Sequence, residues 1–304
     1  MNWSALLLTL GLVACSPQTT PQPDAGRDQP LFQFGLLADV QYADKNTVGR
    51  RAYRDVLPLL EECAADLAEQ DLAFVVQLGD IIDGRGNAAD SAVDLETALA
   101  PLEGMGHQLM HVIGNHCLEV PRAQLQKRLG LDRGWYSLVR NGWRFIVLDS
   151  MAMSIHGNDP QAAREWLKAH PLKEHPQASD WNGAFGDKQL HWLRVELNAA
   201  EQQQQRVVIF SHHPIHEQAS SPAHLAWDYA DALEVISASP SVLAFFSGHD
   251  HGGGYTIYVD VHHWTLPAML EARAPSNAYA VVEVWPQRLV VRGEGEVRTR
   301  ELAR

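Results

Sequence analysis

Five short apolar runs, each breaking off into a polar cluster, constrain this chain more than any other feature. Leu31–Ala38 runs into Asp39-Val40-Gln41, and Ala73–Leu78 into Gly79-Asp80. Leu109–Ile113 leads to Gly114-Asn115-His116, Val207–Phe210 to Ser211-His212-His213-Pro214, and Val242–Phe246 to Gly248-His249-Asp250-His251. Apolar runs of this length, closed by turn residues, read as buried strands, and Arg144–Leu148 is a further one. Helical spacing fills the intervals. Tyr53, Val56, Leu57, Leu60, Ala64 and Leu67 form one stripe, with Pro58 either interrupting that helix or marking its start. Leu190, Leu193 and Leu197 form another, and Leu225, Leu233 and Ile236 a less regular third. After Tyr255 the pattern changes to strands without helices: Tyr255–Val259, His263–Leu266, Tyr279–Val284 and Leu289–Arg292. Alternation followed by a β-rich end predicts an α/β fold, a layered β-sandwich flanked by helices. In such folds, sites gather where strands end in loops.

The strand ends therefore matter chemically. Taken singly each cluster is weak, since Gly-Asp is a common turn, Asn caps turns, and a lone His is usually a core residue. Together they would bring carboxylate, amide and imidazole donors to one edge. Asp39/Gln41 and His249/His251 stand at i and i+2, a spacing that presents both side chains on one face if the backbone is extended. The 304-residue chain carries 24 Lys+Arg against 37 Asp+Glu, a formal charge of −13. That balance argues against a nucleic-acid partner held by a basic face, and an anionic substrate would need bound cations. Three cysteines (Cys15, Cys63, Cys117) are too few and scattered for a disulfide framework or thiolate metal site.

The ordered set Asp-x-Gln, Gly-Asp, Gly-Asn-His, His-His-Pro and Gly-His-x-His resembles the calcineurin-like metallophosphoesterases. Gln41 stands where that family usually has His. With Gly35-Leu36-Leu37-Ala38-Asp39-Val40-Gln41-Tyr42-Ala43-Asp44 and Leu78-Gly79-Asp80-Ile81-Ile82-Asp83-Gly84, it resembles the manganese-dependent ADP-ribose/CDP-alcohol diphosphatase branch. The resemblance implies an α/β/β/α sandwich and two divalent metal ions, Mn²⁺ first with Fe or Zn as alternatives. Asp39, Gln41 and His251 would hold one ion; Asn115, His212 and His249 the other; Asp80 would bridge them. Two such ions clamp a phosphoryl group and activate water, and His116 would protonate the leaving oxygen or stabilise developing charge. An amide oxygen at Gln41 makes that position harder than imidazole, favouring Mn²⁺ over Zn²⁺. The substrate implied is a small phosphorylated molecule, a nucleotide diphosphate linked to a sugar or alcohol. The same centre would also serve a cyclic-nucleotide phosphodiesterase, a general phosphodiesterase or a phosphomonoesterase. A binding protein without turnover is the rival from another class.

Several residues stay open on sequence alone. His213 competes with His212 for the ligand position. Arg50 and Arg51 either reach a phosphate or are solvated charges at a helix start. Gly252-Gly253-Gly254-Tyr255 is either a nucleotide approach with a stacking Tyr255 or a plain glycine turn. His262, His263 and Trp264 either line the pocket or pack in the core. Cys117, where the family usually has an acidic residue, reads as a small buried side chain and leaves His116 with weaker orientation. The remaining histidines, His224 among them, read as surface or structural.

At the N-terminus, Trp3–Ala14 is apolar, too short to span a bilayer, and ends in Leu12-Val13-Ala14-Cys15. This resembles a bacterial lipoprotein signal (residues 1–14), with Cys15 lipidated, a Pro-rich tether over 15–30 and the catalytic domain over 31–304. The expected location is an exported, membrane-anchored lipoprotein facing the periplasm; an ordinary signal peptide with an incidental Cys15 is the alternative.

Overall fold

The computed structural model describes residues 29–304. The expected signal, Cys15 and most of the tether lie outside the described residues. The first sheet is built from β1 (Phe32–Leu37), β2 (Leu72–Gln77), β3 (Leu109–His111), β10 (Ala278–Val284), β11 (Leu289–Gly295) and β12 (Arg300–Leu302), in the order β12-β11-β10-β1-β2-β3. The second contains β4 (Tyr136–Arg140), β5 (Trp143–Val147), β6 (Arg206–Phe210), β7 (Val242–Ser247), β8 (Gly254–Tyr258) and β9 (Val261–Thr265), in the order β4-β5-β6-β7-β9-β8. Within the first sheet β1, β2 and β3 run parallel; in the second β5, β6, β7 and β9 do so. Parallel neighbours need crossovers, and helices supply them except between β7 and β9, where β8 makes the return.

The sheets face one another across an aromatic core. Phe34 and Phe74 of the first stack at 5.1 Å between ring centroids, and Phe145 and Phe210 of the second meet Phe34 edge-on at 5.7 and 5.9 Å. Offset and edge-on contacts are the arrangements ring quadrupoles favour. Outside the first sheet lie α1 (Val56–Ala68) and α2 (Ala88–Gly104); α5 (Asp187–Gln202) and α6 (Tyr229–Ser237) cover the second. The short α3 (Arg122–Arg128) and α4 (Pro160–Ala169) sit in connections. This is the layered α/β architecture that the strand pattern predicts.

Pro58 falls in the first turn of α1, where no intrahelical N–H bond is lost, so it marks the start of the helix. Tyr53 precedes that helix and Leu225 precedes α6, so neither belongs to the stripe assigned to it. The sequence pattern missed α2, whose interior Pro101 breaks the helical signal, although Asn87 caps it by accepting the Asp90 N–H at 2.9 Å. The ligand-bearing strand ends fall on two sheets. Asp39, Asp80 and Asn115 follow β1, β2 and β3; His212 and His249 follow β6 and β7. Both sheets present these carboxyl ends to the same edge of the sandwich.

Candidate metal centre

The loops after these strands leave extended geometry at once. Asp39 (φ 50°), Gln41 (43°), Asp80 (50°) and His249 (70°) all occupy the left-handed region. Side chains there cost free energy of order 1–3 kcal/mol each, and such residues collect at functional sites. Asp39/Gln41 and His249/His251 are thus aimed by left-handed turns, not by the strand pleat that their i, i+2 spacing suggests. The turns also need bare backbone beside the carboxylates. A Cβ on Gly114 would lie 2.1 Å from Asp80 Oδ1, and one on Gly248 would lie 2.3 Å from Asp39 Oδ2.

Around His212 Nε2 three other polar atoms converge: Asn115 Oδ1 at 3.0 Å, Asp80 Oδ2 at 3.1 Å and His249 Nδ1 at 3.2 Å. His212 Nδ1–H donates to the Leu78 carbonyl at 2.9 Å, which fixes the ring and leaves Nε2 facing the cluster. His249 is held the other way round. Its Nε2–H donates to Asn182 Oδ1 at 2.8 Å, so Nδ1 faces His212. Asp80, His212 and His249 form a buried group whose ligating atoms lie within 4.8 Å of one another. Gln41 joins them by donating from Nε2 to Asp80 Oδ2 at 3.2 Å, and its Oε1 is buried without a hydrogen-bond partner. Asp39 accepts the His249 backbone N–H at 2.9 Å. His251 Nδ1 meets Glu271 Oε1 at 3.0 Å, which leaves Nε2 as its other ring nitrogen, and His251 stands outside the group formed by Asp80, His212 and His249.

This arrangement is electrostatically unbalanced without cations. Burial raises the Asp39 carboxyl above its ordinary range, against the pull of His212 and His251. Burial works against Asp80 too, but His212, His116 and the hydrogen bonds from His212 and Gln41 hold it below that range. Burial opposes the charged form of His212; the Asp80 and Asp39 carboxylates overcome it and push the imidazole up to about 9. His249 is driven well below its ordinary value by burial, then by His213 and His212. Two buried carboxylates, imidazole lone pairs and an orphaned amide oxygen make a donor set fitted to hard or borderline divalent cations.

The chain matches the calcineurin-like phosphoesterase family across residues 32–253. It belongs to that family. A manganese-dependent ADP-ribose/CDP-alcohol diphosphatase of Danio rerio is 34% identical over 316 residues, covering 89% of this chain and 97% of that protein. The human protein of the same name is 32% identical, covering 92% and 95%. A crystal structure of a dimetal phosphatase from Danio rerio superposes with a TM-score of 0.85 at 32% identity, over 90% of this chain and 99% of that one. A purple acid phosphatase from yellow lupin shares the fold alone, with a TM-score of 0.57 at 12% identity, over 93% and 55%. As a calcineurin-like phosphoesterase, the protein is a metal-dependent hydrolase of phosphoric esters.

His116 opens a 3₁₀ turn beside the cluster. Its backbone N–H donates to Asp80 Oδ1 at 2.9 Å, and its Nδ1–H donates to the Asp83 carbonyl at 2.8 Å. The Asp83 carboxylate lies 3.5 Å from the same nitrogen and also takes an ion pair from Lys45. The weaker orientation anticipated from Cys117 is therefore not found, because Asp83 holds the ring. Cys117 itself is buried, and burial pushes its thiol up to about 12, so it is a neutral thiol at ordinary pH.

The residues left open by the sequence take definite partners. His213 turns to Ser150, with Nδ1 at 2.8 Å from Oγ, and lies against His249 at 4.0 Å between ring centroids. Arg50 pairs with Glu271 at 3.1 Å, and both Arg50 and Arg51 precede α1 in the loop that follows Gln41. Tyr255 bonds His262 Nδ1 at 2.7 Å and lies under the Arg300 guanidinium at 3.9 Å. His262 and His263 are buried strand residues of β9, and Trp264 packs against Phe246. The sequence pattern missed Asn182, Glu271, Asp83 and His224. Asp83 lies inside the Gly79–Gly84 motif, but the other three carry no spacing signal. Trp181 and His224 stand over His249, at 5.3 and 5.4 Å between ring centroids.

Proposed function

We propose that the protein hydrolyses the diphosphate of a nucleotide linked to a sugar or an alcohol, of the ADP-ribose or CDP-alcohol kind. Asp39, Gln41 and His251 would hold one divalent ion, and Asn115, His212 and His249 a second, with Asp80 between them because each carboxylate oxygen can serve a different cation. Bound there, a pair of divalent ions supplies Lewis acidity toward a phosphoryl oxygen and lowers the pKa of water. The chain's own part is distinct. Leu78, Asn182 and Glu271 fix which nitrogen of His212, His249 and His251 is left to a metal ion. His116 Nδ1 is committed to Asp83, so Nε2 is its proton-carrying atom toward a leaving oxygen. Trp181, partly exposed beside the centre, offers an aromatic face to a base.

The observation that carries the substrate class is kinship over nearly the whole chain with diphosphatases of that name from fish and human. Manganese is proposed on the same ground, and on Gln41, whose buried Oε1 is an oxygen donor awaiting a partner. The test is a panel of ADP-ribose, CDP-choline, cyclic AMP and p-nitrophenyl esters, each with Mn²⁺. Higher kcat/KM on the first two, with nucleoside monophosphate released, supports the proposal; preference for cyclic AMP or a monoester refutes it. We also propose that Cys15 carries a lipid and that the domain works outside the cytoplasm on a membrane, as the signal-like N-terminus suggests.

A further inference from the structure

We infer that the tip of the β8–β9 hairpin is a lipid-contacting surface that turns the metal centre away from the membrane; this rests on the proposed lipid anchor at Cys15. Ile257, Tyr258 and Val259 are consecutive and exposed, at 53%, 44% and 56%. Three adjacent bulky apolar side chains at a hairpin tip are unlike the scattered apolar residues of an ordinary surface. The turn that carries them is equally unusual. Val259 and Asp260 have φ of 46° and 58°, the pair of left-handed residues of a two-residue hairpin turn, where Asn-Gly is the favoured sequence. A β-branched residue at positive φ is a backbone outlier. An Asn there would relieve it, and the chain instead presents a valine to solvent.

Position in the fold names the partner. β9 runs parallel to β7, whose far end delivers His249, so the hairpin tip lies at the opposite end from the metal centre. β1 begins at that same opposite end, since its far end delivers Asp39. Contacts between the sheets show that the two ends coincide. Trp143 Nε1, at the start of β5, donates to the Trp285 carbonyl at 3.1 Å, and Arg304 Nη2 donates to the Val242 carbonyl at the start of β7. The chain from Cys15 therefore joins the domain on the side where the apolar tip projects. The roughly 14 residues between Cys15 and Gln29 span at most about 50 Å fully extended. A domain so leashed meets the bilayer at high effective concentration, and a small apolar contact is then enough to set its orientation. Arg140 and Arg304 at this end are engaged, Arg140 over the Phe32 ring at 5.3 Å and Arg304 on the Val242 carbonyl, and the turn itself carries the exposed Asp260 carboxylate, so the contact is made by the apolar side chains and not by charge.

The test uses the full chain extracted from membranes and reconstituted into phosphatidylethanolamine–phosphatidylglycerol vesicles. Val259→Cys is labelled with a polarity-sensitive dye, and Thr47→Cys, exposed in the loop after Gln41, is the control at the metal end. Nitroxide-bearing lipid should quench the dye at 259 several-fold more than at 47, and Ile257→Asp should abolish the difference without changing hydrolysis. Equal quenching at both positions overturns the inference, as does shielding of the 259 dye without lipid, which would indicate a second copy of the chain. The anchor is tested apart, by whether Cys15→Ser releases the protein from membranes. Should it prove unlipidated, Cys15→Ser/Val259→Cys is bound to nickel-chelating lipid through an N-terminal histidine tag. Stronger quenching at 259 than at 47 then supports the lipid-contacting tip, and equal quenching overturns it.

Discussion

At the residue scale, the centre is a set of atoms whose hydrogen-bond partners decide which lone pair is offered. His116 illustrates this for catalysis. With Nδ1–H committed to Asp83, removing the imidazole should lower kcat about 10²–10⁴-fold while metal content, read by elemental analysis, stays at the wild-type value; unchanged kcat would remove its proposed role. Asn182 illustrates it for binding. Its Nδ2 donates to the carbonyls of Gln177 and Ala223, both at 2.8 Å, so Oδ1 must face His249. Asn182→Ala should free the His249 ring and weaken Mn²⁺ binding about 10–100-fold, measured by titration calorimetry. Asp39, Gln41, Asp80, Asn115, His212, His249 and His251 were all legible as candidate ligands, because they stand in the short polar clusters that close the apolar runs, and Asp80, His212 and His249 form one buried group. Asn182 and Glu271 were not, because one donor in an irregular loop has no period to betray it.

At the scale of elements, the strand ends were legible and their geometry was not. The i, i+2 spacing suggested extended backbone, whereas Asp39, Gln41 and His249 are left-handed. The edge strand β4 and the 17-residue helix α2 also escaped, since β4 is half exposed and α2 carries a proline. Connections carry their own chemistry. The Asp228 carboxylate, just before α6, accepts N–H groups from Phe185 and Gly186 at 3.1 and 2.8 Å, fastening the start of α5. Burial lifts this acid from 3.8 to about 6. An acid raised by folding stabilises most below its unfolded pKa, and that contribution is lost as pH climbs through the folded one. Metal-free wild-type protein should therefore lose stability relative to Asp228→Asn between about pH 4 and pH 6, by urea midpoints. A constant difference across that window would show that Asp228 titrates normally.

At the scale of the whole molecule, the centre joins two sheets. Asp39, Gln41, Asp80 and Asn115 come from the first, and His212, His249 and His251 from the second. Cations bound between them stabilise only the folded arrangement. Chelation should lower Tm by several degrees, and restored Mn²⁺ should reverse the fall. Hydrogen exchange should rise in the loops after β1, β2, β6 and β7, and not in strands around Phe34 and Phe145. A uniform rise, or no change in Tm, would show that the ions add nothing to the junction.

The α/β class, most of the strands and the candidate donors were written in local pattern, because apolar runs, turn residues and metal-ligand chemistry are properties of short stretches of chain. Three-dimensional packing was needed to divide the strands between two sheets, to choose which nitrogen of each histidine faces inward, and to make Asp83 rather than a neighbour of Asn115 the group that steadies His116. Each of those depends on which distant backbone carbonyl or side chain comes within hydrogen-bond reach, and no local pattern encodes that.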